Sequence, residues 1–133
     1  MSRSSTTGVA FLATESDSGD RGDPLAEAER LVAQGRAHQA VRELRDRLAA
    51  GRGGALARIA LVRALLAAQD VPGALAEARE ALSLNPGLAP VLAVLGEALL
   101  AAENLPAAIA ELQRALRLDP SMARARLLMG RAW

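Results

Sequence analysis

The chain of 133 residues has no cysteine, no lysine and no tyrosine, and a single histidine, a single tryptophan and a single phenylalanine. Without cysteine there is no disulfide, no thiol nucleophile and no thiolate metal site. A lone imidazole, His38, neither builds a metal site nor finds a nucleophile beside it, and reads as a solvated turn residue. Neither sign of charge dominates: 16 basic residues against 15 acidic leave a formal charge of +1, so no global field draws nucleic acid or an anionic membrane. Every basic residue is Arg, which reads as the codon bias of a GC-rich bacterial genome. No apolar run spans a bilayer. The densest, Val91 to Ala102, is 12 residues long and carries Glu97 in its middle, so it reads as a core helix. The run from Gly8 to Ala13 is too short for a signal-peptide core. These absences leave a single cytoplasmic domain whose 51% apolar content is enough for a continuous core.

What the chain does have is a repeat. Laid without a gap over Ala89 to Met122, the segment Ala55 to Leu88 is identical at 15 of 34 positions. A composition rich in Ala and Leu accounts for only about 3 or 4 such matches. A period of this length points to stacked supersecondary units. Leu92, Leu95, Gly96 and Leu99 fall on one helical stripe. Asn104 then reads as an N-cap with Pro106 just inside the next helix, and Leu105, Ala108, Ile109, Leu112 and Leu116 form its stripe. Asp70 and Pro72 repeat that punctuation one period earlier. The second helices end at Asn85-Pro86 and Asp119-Pro120, because a residue before proline is pushed out of the helical region. Neither helix of a pair buries its stripe alone, so copies must stack.

This pattern resembles the tetratricopeptide-repeat family, a 34-residue helix-turn-helix with preferred residue types at eight positions. From Ala89 the matches are Leu92, Leu95, Gly96, Leu99, Ala108, Leu112, Ala115 and Pro120, with Leu where aromatics are usual. From Ala55 they are Leu61, Leu65, Ala74, Ala81 and Pro86, with departures at Arg58, Val62 and Ala78. Residues 21–54 read as a degenerate first repeat: Ala28, Leu31, Ala40 and Leu44 fit, whereas Glu27, Arg47 and Arg52 do not. Its helices are expected near Pro24 to Gln34 and Ala37 to Ala50. Residues 123–133 supply a final helix. The expected fold is an all-α, right-handed superhelix of about three helix-turn-helix repeats plus that helix, spanning 24–133, after a disordered tail at 1–23.

The resemblance implies a non-catalytic protein-interaction module, an adaptor, scaffold or co-chaperone-like protein that binds a partner's peptide or helix on its concave face, with no cofactor. Carried over by position, the groove residues are Leu25, Glu29, Val32, Ile59, Arg63, Leu66, Ala93, Glu97, Leu100, Leu127 and Arg131. Glu29, Arg63, Glu97 and Arg131 lie 34 apart and are expected to form a row of alternating sign. That row is either a ladder of neighbouring ion pairs or a device that fixes the register of a bound helix. Family members that clamp a chaperone's C-terminal carboxylate use Lys and Asn at inward positions. This chain has no Lys, and Asn85 and Asn104 fall in loops, so that mode is not expected. The alternative is an assembly subunit, as in a secretion or motility complex, that forms homo-oligomers through its array ends. Leu127, Leu128, Met129 and Trp133 would then be the contacts.

The tripeptide Arg21-Gly22-Asp23 matches an adhesion motif by chance, and Glu77 and Glu80 read as a solvated convex face with Arg79. Val9, Phe11 and Leu12 form an apolar island in an otherwise polar tail. They read either as part of an inert arm or as a short docking segment for a partner or for the chain's own groove.

Overall fold

In the computed structural model, which describes residues 23–132, seven helices follow one another: α1 (Pro24–Ala33), α2 (Ala37–Ala49), α3 (Gly54–Ala67), α4 (Val71–Leu84), α5 (Ala89–Ala101), α6 (Leu105–Leu118) and α7 (Ala123–Ala132). No strand occurs among the described residues. The expected disordered tail and Trp133 lie outside them.

The caps follow from the sequence punctuation. The Asp70 carboxylate accepts from Gly73 N at 3.0 Å, and the Asn104 carbonyl accepts from Ala107 N at 3.5 Å. Each opens an outer helix with proline behind it. The same two residues also close the helix before them. Asp70 N donates to Leu65 O and Asn104 N to Leu99 O, while Gln69 N donates to Leu66 O and Glu103 N to Leu100 O. This is the paired C-terminal bonding that requires a left-handed residue. Gln69 and Glu103 adopt it at φ 68° and 63°. The expected ends at Asn85 and Asp119 are the C-caps of α4 and α6.

The odd-numbered helices stack on one another, α1 on α3, α3 on α5 and α5 on α7, and form an inner layer. Each even-numbered helix packs between its sequence neighbours, and the backbones of the even-numbered helices stay more than 8 Å apart. The array is thus an all-α superhelix with a continuous inner wall. Central inner helices are enclosed from several sides, which is why α5 buries nine of its 13 residues whereas α6 buries only Ala108, Leu112 and Ala115.

The core forms two clusters, one centred on α3 and one built from α5, α6 and α7, and Leu82 and Leu100 pack against both. Gly96 permits close approach of α5 and α6. A methyl group in its place would stand 2.7 Å from the Leu112 side chain and 3.5 Å from the Ala108 carbonyl.

Candidate functional site

The concave wall carries an ion-pair network centred on Glu97. One carboxylate oxygen accepts from Arg63 Nε at 3.3 Å and the other from Arg124 Nη2 at 2.6 Å. Arg63 Nη1 also lies 4.0 Å from a Glu29 carboxylate oxygen. The network therefore runs from α1 through α3 and α5 to α7. Its members are unequally wet: the Glu97 side chain is 16% exposed, Arg63 22%, Arg124 42% and Glu29 64%.

The order of this ladder corrects one expectation. The fourth rung is Arg124, not Arg131. The two are seven residues apart, two helical turns on one face, so both look toward the groove. A period of 34 sets which Cα positions correspond, whereas the reach of a long arginine decides which one touches Glu97. The spacing between Arg124 and Arg131 was the signal available in the sequence.

Two hollows flank the network. The first, of about 260 Å³, is lined by Leu25, Ala28, Glu29, Val32, Ala33, Arg63, Glu97 and Arg124. The second, of about 320 Å³, is lined by Leu66, Glu97, Leu100, Ala101, Leu105, Leu128 and Arg131. Glu97 belongs to both, so a single carboxylate and its two arginines stand between two apolar-sided depressions.

Of the expected groove residues, Leu25, Glu29, Val32 and Arg63 meet in the first hollow, Leu66, Leu100 and Arg131 in the second, and Glu97 in both. Ile59 and Ala93 do not contribute surface. They are 2% and 1% exposed, because inner helices stack and bury residues that one helix considered alone would present. Leu127 is 59% exposed but lines neither hollow. Leu128, expected to face another copy, is fully buried between α5 and α7 and lines the second hollow instead. Met129 is half-buried against the same cluster, and Trp133 lies outside the described residues. Leu105 was missed as a groove residue. It opens α6, and its 44% exposure comes from standing at the turn, where the α6 stripe leaves the core.

Two of the remaining polar features have structural partners. Glu77 approaches Arg58 of α3 at 3.9 Å rather than joining Arg79, Asp23 caps α1 by accepting from Leu25 N at 3.0 Å, and His38 is exposed near the start of α2. Among the described residues no group of three or more His, Asp or Glu side chains could hold a metal ion. Among them, too, no helix is long and apolar enough to cross a membrane.

Comparisons place this geometry. The first TPR domain of the human RPAP3 protein superposes with a TM-score of 0.73 at 17% identity, covering 82% of this chain and 86% of that one. The second TPR domain of human RPAP3, in complex with the HSP70 peptide SGPTIEEVD, gives 0.68 at 20% identity, covering 83% and 92%. The first TPR of Spaghetti (RPAP3), bound to the HSP90 peptide SRMEEVD, gives 0.70 at 17%, covering 82% and 86%. No curated protein matches the chain in sequence. Two family models described as tetratricopeptide repeat match residues 25–89 and 65–132, and with the repeat, the caps and the stacked inner wall they make the chain a member of the tetratricopeptide-repeat family.

Proposed function

We propose that the chain is a non-catalytic adaptor that binds a helix or extended peptide of a partner protein along its concave wall. The observation that carries this reading is the pair of hollows joined at Glu97. An apolar side chain entering each would place the partner's backbone across the Arg63–Glu97–Arg124 network, which sets register through charge. The similarity to peptide-bound domains supports a peptide as the ligand class. It does not bring the chaperone carboxylate with it: the chain has no lysine, Asn104 is occupied as the cap of α6, and the Asn85 amide donates to Ala81 O at 3.4 Å.

The test is capture from native extract by wild type and by Leu66→Glu/Leu100→Glu, with circular dichroism confirming that the variant remains helical. Because Leu100 also joins the two core clusters, the milder Leu105→Glu/Arg131→Glu is run beside it. A partner held by the wild type and lost from both folded variants supports the groove. Equal capture by all three overturns it.

A second reading is assembly through the array end. It is favoured by Leu127, 59% exposed at the register position where Ala93 of the preceding repeat is buried. Light scattering separates the two: assembly requires a multiple of 13.8 kDa that Leu127→Ser reduces.

A further inference from the structure

The first hollow begins where the described chain begins. Leu25 and Val32 supply its apolar wall, seven residues or about 10 Å apart along α1, and the polypeptide enters α1 at Asp23, two residues before Leu25. The preceding 22 residues hold one apolar island, Val9-Ala10-Phe11-Leu12, containing the chain's only phenylalanine. The ten residues from Ala13 to Gly22 that join it to α1 are polar, with Glu15, Asp17 and Asp20 against a single Arg21.

Reach and apolarity both fit. A polar linker of this length has a root-mean-square span of about 17–20 Å, enough to fold back over α1 and close to the separation at which tethering is most effective. The charges lining the first hollow balance, Arg63 and Arg124 against Glu29 and Glu97, so its apolar wall is what an apolar segment would meet there.

We propose that Val9 to Leu12 of the same chain occupy the hollow between Leu25 and Val32, so that the N-terminal segment is a built-in competitor for the concave wall. The proposal rests on that wall being a docking surface and adds how access to it is regulated. A tethered segment acts at an effective concentration of order millimolar, so one that binds at ~0.1 mM when free weakens any ligand of the same hollow by about tenfold.

The probe is a fluorescein-labelled peptide of residues 6–15, TTGVAFLATE, titrated by anisotropy against the full wild-type chain and against full-length Phe11→Glu/Leu12→Glu. The variant, its own segment disabled, is expected to bind the peptide about tenfold more tightly than wild type. Adding Val32→Glu to the variant should abolish binding, and the gentler Leu25→Ala should weaken it. Equal affinity for wild type and variant, binding to neither, or binding that survives Val32→Glu overturns the proposal. So does a wild-type mass of twice 13.8 kDa that falls to one copy in Phe11→Glu/Leu12→Glu, since the segment would then sit in a second molecule. The groove reading is judged separately, by the Leu66, Leu100, Leu105 and Arg131 variants in the other hollow. Failure here with capture intact there removes only the self-occupancy.

Discussion

Gly96 and Gly130 occupy the same register position 34 residues apart, and replacing each with alanine should move stability in opposite directions. In α5 the added methyl would meet Cγ and Cδ2 of Leu112 at 2.7 Å each. Leu112 is fully buried and cannot swing away. Overpacking of this kind costs about 1–3 kcal/mol, offset by the roughly 0.5–1 kcal/mol that alanine gains over glycine within a helix. The net for Gly96→Ala is about 0–2.5 kcal/mol of destabilisation, or a fall in Tm of up to about 12 °C for a domain near this size. At Gly130 nothing lies within 4 Å of the new methyl group, so only the propensity gain remains. Its place near the end of α7 reduces that to about 0.5 kcal/mol. Thermal and urea unfolding of both variants by circular dichroism measure the two signs. The decisive control is Leu112→Ala, which alone costs about 2–5 kcal/mol. In that background the clash is gone and Gly96→Ala should become stabilising. If it stays equally harmful there, or if both glycine variants shift Tm the same way, the close approach of α5 and α6 is not what selects glycine.

Gln69→Gly and Glu103→Gly should each stabilise by about 0.5–1 kcal/mol in urea unfolding, because both side chains sit at positive φ where glycine carries no Cβ penalty. Asp70→Ala should cost about 1 kcal/mol and Asn104→Ala less, since the first cap bond is 3.0 Å and the second 3.5 Å. A methyl at Gly73 would crowd the Asp70 carboxylate, whereas the corresponding Ala107 already stands beside Asn104, which fits the longer bond there. Glu97→Gln should destabilise by no more than about 1 kcal/mol, the loss shrinking above 0.5 M salt, because the arginines it leaves are partly solvated. A loss that is unchanged by salt would mean that the network is not electrostatic in origin.

The hairpin frame was legible because its signals are local. Asp70, Asn104 and the Asx-Pro steps at 85–86 and 119–120 act within a few residues, and the helices end where those signals stand. The site was legible only to the level of helix face. Ile59 and Ala93 lie on the expected inner helices, but the stacking of those helices covers them, a nonlocal effect that no periodicity within one helix records. Arg124 was passed over for Arg131 for a related reason: register fixes where a side chain starts, and its length and torsions fix where its charge arrives.

The stacking of repeat on repeat gives the array a mechanical character. Each repeat is joined to the next both by stacking of the inner helices and by its outer helix packing on the following inner one, so load along the superhelix is shared by both layers. The molecule is in effect a leaf spring whose leaves are bound to one another along both layers. Bending changes the spacing of successive inner helices, and the network of Glu29, Arg63, Glu97 and Arg124 spans all four of them, so it is strained whenever the array flexes.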